Sequence, residues 1–288
     1  METMGLLSLL PIFTGGLFLW VHWIEPNWFQ LRVKVIRVGK PLKRPITVLH
    51  LSDTHFTKER FFLKKFFNRL AELEPDFIFV TGDLIDDSQG IKTCVHYLKG
   101  LKVKRGIYAV LGNHDYRIYP PFASVWRLFT GSIRTEPRSE TEDLKRALLE
   151  AKIHLLENES VSVPLENGEE ASLIGIDDPV TGHANYERSF QGVKNGSLRL
   201  ALIHSPVSFP ILGQWGVDAA FAGHTHGGQV RLPLIGPLPP AYRLEPIIDS
   251  TNQYGFVGLV TRGVAAQPVT RLRLFCRPEA VLVRIEGS

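Results

Sequence analysis

The chain has 288 residues, 44% hydrophobic and 22% charged, which is enough to bury a large core and too apolar for a disordered protein. Its two cysteines, Cys94 and Cys276, exclude a disulfide framework and a thiolate metal site, and both are expected to be reduced and packed. The net charge of +4 sits at the beginning: residues 1–44 hold six basic side chains against two acidic ones, while the rest balances at 27 of each, which argues against a nucleic-acid-binding body.

Residues 5–24, GLLSLLPIFTGGLFLWVHWI, carry no Asp, Glu, Lys or Arg. About 20 such residues match the thickness of a bilayer's hydrocarbon core. Trp20, Trp23 and Trp28 cluster at the far end, where an aromatic belt would lie. Arg32, Lys34, Arg37, Lys40, Lys43 and Arg44 follow and place the C-terminal side in the cytoplasm, against the inner membrane. Glu2 before the apolar run and Trp-His-Trp at its end do not fit a cleaved signal. Pro11 and Gly15-Gly16 weaken a helix here, so an in-plane anchor stays open beside a spanning one, as does a buried N-terminal helix. The expected organisation is a membrane anchor at 1–28, a basic juxtamembrane segment at 29–44 and a main domain at 45–288.

Residues 31–38 alternate as a strand, and 46–53 form a short β-branched run read as a buried strand. Residues 59–74 place Phe62, Phe66, Leu70 and Leu73 on one helical face. Strands are expected again at 76–83 and 106–115, a rhythm that indicates α/β. After a helix at 141–156, the segments 160–165, 171–178, 198–205, 217–226, 254–260 and 280–286 read as short strands. The second half is thus more β-rich, and two packed sheets with helices outside are expected.

Chemistry-bearing residues gather where strands end: SDTH (Asp53, His55), TGDLIDD (Asp83, Asp86), GNHD (Asn113, His114), IHS (His204) and GHTHGG (His224, His226). Ligands of α/β sheets collect beyond such strand ends. Carboxylate, amide and imidazole donors without sulfur suit Mn²⁺, Fe or Zn²⁺ more than Ca²⁺ or structural zinc. Asp53, His55, Asp83, Asn113, His204, His224 and His226 are too many ligands for one ion; with one bridging carboxylate they divide into two sites. Gly82, Gly112, Gly223, Gly227 and Gly228 leave room for close approach.

The ordered motifs D-x-H, G-D-x-x-D, G-N-H-D, a lone His and G-H-x-H resemble the calcineurin-like metallophosphoesterase superfamily over roughly residues 45–288. VLHLSDTH, FVTGDL, GHTHGGQVRLPLIGP and TRG…RLFCRPE are most similar to its membrane-associated bacterial branch, which includes YkuE-type phosphoesterases and the UDP-2,3-diacylglucosamine pyrophosphatases of lipid A synthesis. The resemblance implies a four-layer α/β/β/α sandwich of two mixed sheets flanked by helices. It implies that Asp53, His55 and His226 hold one ion, that Asn113, His204 and His224 hold the second, and that Asp83 bridges. It further implies that His114 faces the scissile phosphate and that Asp86 orients His114. Asp87, Asp115, Asp177 and Asp178 are read as solvated or outer carboxylates, and Arg262 as a candidate phosphate contact.

The segment 116–140 is long for a connection and mixes aromatics with arginines. Arg117, Tyr119, Trp126, Arg127 and Phe129 are its candidate substrate contacts, with Arg134 and Arg138 as further cations for a diphosphate. An anchor and such a lid favour an amphiphilic nucleotide-sugar or lipid phosphate. The expected reaction is hydrolysis of UDP-2,3-diacylglucosamine to the lipid monophosphate and UMP, with two divalent ions, Mn²⁺ first among them. A membrane-tethered phosphodiesterase or phosphatase for another lipid or nucleotide, and a non-catalytic metal-binding scaffold, are the alternatives.

Overall fold

The computed structural model describes residues 13–120, 134–237, 250–266 and 271–288. Twelve strands build two mixed sheets. Those of the first sheet are β1 (Gln30–Val38), β2 (Ile46–Leu51), β3 (Phe77–Thr81), β4 (Ile107–Val110), β5 (His154–Leu155) and the C-terminal β12 (Glu279–Gly287). Its order is β1-β12-β2-β3-β4-β5; β12 runs antiparallel to β2, and the other neighbours are parallel. The second sheet contains β6 (Glu159–Pro164), β7 (Glu170–Gly175), β8 (Leu198–Leu202), β9 (Ala219–Ala222), β10 (Ser250–Thr251) and β11 (Val257–Val260). Its order is β10-β11-β9-β8-β7-β6, parallel except at the two outer pairs.

The layers follow from which faces are apolar. Strands β3, β4 and β9 are buried along their whole length, as expected where a parallel sheet is covered on both sides. Val48, Phe77, Phe79 and Val110 of the first sheet meet Leu173, Leu200, Leu202 and Phe221 of the second. Helices α1 (Phe61–Leu70), α2 (Ser88–Lys99) and α3 (Thr141–Glu150) cover the outer face of the first sheet. Phe209, Leu212 and neighbouring apolar residues cover the second. This is the expected α/β/β/α sandwich.

Three local readings change. Helix α1 ends at Leu70 and buries Leu63, Phe66, Phe67 and Leu70. Phe62, expected on that face, is exposed beside Phe61 at the helix start. The helix expected over 141–156 stops at Glu150, because Lys152 adopts a left-handed φ of 60° and the chain turns into β5.

Arg32, Lys34 and Arg37 of the basic stretch are carried on β1, an edge strand paired in parallel register with β12 from Gln30↔Glu279 to Val38↔Gly287. Before it, residues 13–19 are helical, continuing through a wider turn at Trp20–Ile24 and a tight one at Glu25–Asn27. Residues 13–20 are exposed, whereas Glu25 is buried. Its carboxylate accepts from the Trp20 indole (2.9 Å) and from the Cys276 amide, and the Val21 carbonyl accepts from the Arg273 amide (2.8 Å). The segment is thereby pinned to the C-terminal loop. No helix among the described residues is long and apolar enough to cross a membrane, and residues 1–12 of the expected anchor lie outside them.

Candidate metal centre

All seven expected ligands lie just past the carboxyl ends of β2, β3, β4, β8 and β9, on one edge shared by the two sheets. The loops are laced together by the backbone. Asp53 N donates to Gly82 O (3.0 Å), His55 N to Asp83 O (2.9 Å) and Gly223 N to His204 O (2.9 Å). Gly112 and Gly223 permit the closest approaches. A Cβ at Gly223 would collide with Ser52 Oγ and the Asp53 carboxylate, and one at Gly112 with the Asp83 carboxylate. Asp53, His55, Asp83, His224 and His226 all hold left-handed φ values between 40° and 66°. For non-glycine residues that costs about 1–3 kcal/mol each and persists only where surrounding contacts enforce it, as at functional sites.

The side chains form two groups that share one carboxylate. Asp53, His55, Asp83 and His226 make the first; Asp83, His204 and His224 make the second. Asp83 Oδ2 lies 3.7 Å from His55 Nε2 and 3.2 Å from His204 Nε2. His226 Nε2 stands 3.4 Å from Asp53 Oδ1 and 3.4 Å from His55 Nε2. In the second group His204 Nε2 is 3.2 Å from Asn113 Oδ1 and 3.1 Å from His224 Nδ1. The far nitrogens are committed elsewhere: His55 Nδ1 to Asp86 (2.9 Å), His204 Nδ1 to Thr81 O (2.8 Å) and His226 Nδ1 to Ala265 O (3.1 Å). A proton on each Nδ1 leaves each Nε2 lone pair aimed inward, the arrangement that orients imidazoles as metal ligands. Lone pairs packed this closely repel unless cations lie among them, so the donor set fits two divalent ions with Asp83 common to both.

The electrostatics point the same way. Burial opposes ionisation of Asp83, but His204 and His114 overcome it and hold its carboxyl well below the usual range. Burial and the charge of Asp83 push the Asp53 carboxyl up. Burial opposes protonation of His55, yet Asp86 raises it to about 9. Burial takes His224 down to about 3 and His114 to about 4. Buried titratable groups gathered this closely, with pKa values driven apart by burial and by one another, mark a functional site.

His114 stands beside this ring. Its imidazole centroid is 4.9 Å from that of His55 and 4.5 Å from the Tyr119 ring, which stacks on it. Asp86, expected to orient His114, clusters with both His114 and His55, and its carboxylate lies 2.9 Å from His55 Nδ1. The Asp86 amide donates to Phe56 O (2.9 Å), which fixes the residue alongside the His55 loop. Of the expected substrate contacts, Tyr119 reaches the centre. Arg117 lies on a short two-stranded hairpin with Glu136–Pro137, and Trp126, Arg127 and Phe129 lie outside the described residues. Arg138, read as a cation for substrate, is buried and donates to His114 O (2.6 Å) and Asp86 O (2.8 Å). Arg262, read as a phosphate contact, lies 3.8 Å from the buried Glu279 carboxylate.

Of two supporting residues, Asp115 was read from sequence as a solvated or outer carboxylate, and Arg273 was not singled out. Asp115 accepts from the amides of Leu84, Ile85 and Gly112, and so ties the β3 loop to the β4 loop. Arg273 is fully buried and donates to the carbonyls of Arg262 (2.7 Å), Cys276 (3.0 Å) and Ala265. Ala265 O is also the acceptor that sets the His226 ring. An arginine inside the apolar run LRLFC was the available signal.

A family model described as calcineurin-like phosphoesterase matches residues 46–228. The chain belongs to the calcineurin-like phosphoesterases. Among its relatives, the uncharacterized metallophosphoesterase YkoQ of Bacillus subtilis is 31% identical over 72% of both chains. The phosphodiesterase YaeI of Escherichia coli is 29% identical over 95% of this chain and 94% of that one. The UDP-2,3-diacylglucosamine pyrophosphatase LpxG of Chlamydia muridarum is 26% identical over 77% and 76%. This calcineurin-like phosphoesterase is therefore a metal-dependent hydrolase of phosphoric esters or anhydrides, and the Asp/His cluster just described could hold its metal ions.

Proposed function

We propose that the protein hydrolyses the pyrophosphate bond of an acylated nucleotide sugar at the inner face of the cytoplasmic membrane, with UDP-2,3-diacylglucosamine as the substrate and two Mn²⁺ as the ions. The observation that carries this is the exposed apolar surface at residues 13–24 and 61–62, placed beside a phosphoesterase centre in a chain that resembles LpxG. Burying such aromatics in a bilayer interface is favourable, and isolated large patches of this kind mark contact surfaces.

The residues divide the work. Asp53, His55, Asp83 and His226 would hold one ion, and Asp83, Asn113, His204 and His224 the other. When bound, the pair supplies hydroxide at neutral pH and positive charge for phosphoryl oxygens. Asp86 and the carbonyls of Thr81 and Ala265 keep the imidazoles in the ligating tautomer. His114 stands outside these two ligand groups, in a separate cluster with His55 and Asp86, and its backbone is fixed by Arg138 and by Asp83 Oδ1 (2.8 Å). Its imidazole stays neutral near pH 7 until an anionic phosphate stands beside it; protonated, it can donate to a phosphoryl or leaving oxygen. Tyr119 stacks on that imidazole and limits its rotation.

The test is release of UMP by Mn²⁺-loaded protein from the diacylated UDP-sugar and from its deacylated form. At least a hundredfold preference in kcat/KM for the acylated form is expected; equal rates rule out lipid recognition. The relation to YaeI, which spans nearly the whole chain, favours a phosphodiester substrate as the second reading. Hydrolysis of phosphodiesters alone, with both UDP-sugars inert, selects it.

A further inference from the structure

A cleft of about 440 Å³ opens directly from the metal centre. His55 and Asp86 form its inner end. One wall is the N-terminal segment at His22, Trp23, Pro26 and Asn27. Arg60, Phe61 and Phe62 at the start of α1 and Arg271 complete the lining, with Trp23 and Phe62 in ring contact. The 116–140 segment, the lid expected from sequence, contributes none of its described residues to this lining.

We propose that this cleft is the subsite for the acylated part of the substrate. In this arrangement Arg60 and Arg271 bind the phosphate that stays on the acylated group, and Trp23, Phe61 and Phe62 receive the chain. The inference rests on reading the centre as a phosphoesterase for an amphiphile, and it specifies where that amphiphile lies.

Charge supports the anionic half. Both arginines are exposed, and neither guanidinium has a hydrogen-bond or ion-pair partner among the described residues. The charge of Asp86 acts on Arg60, but that carboxylate is already engaged with His55. Enclosure in the cleft and the charge of Arg271 both make the Arg60 cation less favourable than usual. Two such cations at the mouth of a phosphoesterase centre suit a doubly charged phosphate, which guanidinium groups bind in bidentate fashion.

Geometry supports the apolar half. Phe61 is 74% exposed, Trp23 58% and Phe62 39%, although a helix start carrying two phenylalanines would gain by burying them. Trp23 and Phe62 meet edge to face at 5.8 Å, as do Phe61 and Phe62 at 5.4 Å, so the rim is a single aromatic surface spanning both segments. It continues onto the exposed face of residues 13–24. Glu25, buried against Cys276 and Trp20, holds that wall in position.

Calorimetric binding of two non-hydrolysable probes to the metal-loaded full chain tests this: methylenediphosphonate, and the same diphosphonate carrying a dodecyl chain. The wild type should bind the dodecyl probe at least tenfold more tightly. Phe61→Ser with Phe62→Ser should erase that preference, and Arg60→Gln with Arg271→Gln should weaken both probes tenfold or more. Equal affinity of the wild type for the two probes overturns the apolar subsite, as does an unaltered preference in the Phe61→Ser/Phe62→Ser protein. Unaltered affinity for methylenediphosphonate in the Arg60→Gln/Arg271→Gln protein overturns the anionic one. Neither probe is a UDP-sugar, so these outcomes are independent of whether UDP-2,3-diacylglucosamine is the natural substrate.

Discussion

The metal centre and the cleft that leads to it share one edge of the sandwich but are built on opposite terms. In the centre, most polar atoms are committed: loop amides to carboxylates, the far nitrogens of His204 and His226 to carbonyls and that of His55 to Asp86, and a buried arginine to the backbone behind His226. Five ligands hold left-handed backbones that only this network sustains. In the cleft, large aromatics and two arginines stand exposed with little to hold them in the free protein. The contrast separates what the superfamily's chemistry demands from what distinguishes one substrate from another. Preorganisation belongs where charge develops, and adaptable surface belongs where a chain must enter.

If the centre is one cooperative unit, its shared carboxylate should be its most sensitive point. Asp83→Asn keeps the shape and tolerates the left-handed backbone but removes the charge between the two groups. Loss of metal affinity should exceed about 100-fold, the upper end of what outer-sphere partners cost. Metal analysis after gel filtration and hydrolysis of bis(p-nitrophenyl) phosphate measure it. Retention of two ions with full turnover would show that Asp83 is not shared.

His114 tests the border between ring and cleft. His114→Ala should lower kcat by about 10²–10⁴, the usual worth of a positioned acid or hydrogen-bond donor, while both ions stay bound. A protein that instead loses an ion places His114 among the ligands. Smaller again is the effect of Asp86, whose carboxylate sets the His55 tautomer. Asp86→Ala should weaken metal binding about 10–100-fold, with activity restored by excess Mn²⁺. If added metal does not restore turnover, Asp86 acts on the substrate side and not through His55.

The same contrast explains what could be read from the chain beforehand. The ligands were legible because each closes an apolar strand with a residue no strand requires, and strand ends of an α/β fold converge. The contact of Asp86 with His55 was not: Asp86 lies three residues after Asp83 and 31 after His55, and its amide bond to the Phe56 carbonyl, which holds it alongside His55, belongs to the fold. Arg138 and Arg262 read as substrate cations because composition cannot show that one is buried against carbonyls and the other lies beside Glu279. Phe62 read as core because a helical face drawn from sequence ignores where the helix starts. The cleft arises from segments some 250 residues apart, Trp23 and Arg271 among them, joined by a buried glutamate in the N-terminal segment.

The smallest predicted effect concerns the floor beneath the ring. His50 is fully buried in β2 with Nε2 2.8 Å from Thr81 Oγ1, and burial lowers its pKa to about 3. In the unfolded chain the same imidazole titrates near 6.5. Between those values the unfolded state takes up a proton that the folded state refuses, so this contribution is intact above about pH 6.5. It is lost as the pH falls, at about 1.4 kcal/mol per unit. His50→Gln keeps a polar partner for Thr81 and removes the titration. Denaturant unfolding of chelated protein at pH 7, 6 and 5 should therefore show a shallower loss of stability in the variant, by close to one proton. Identical slopes in the two proteins would mean that His50 is protonated in the folded state, and that the packing around β2 and β3 beneath the metal centre admits water.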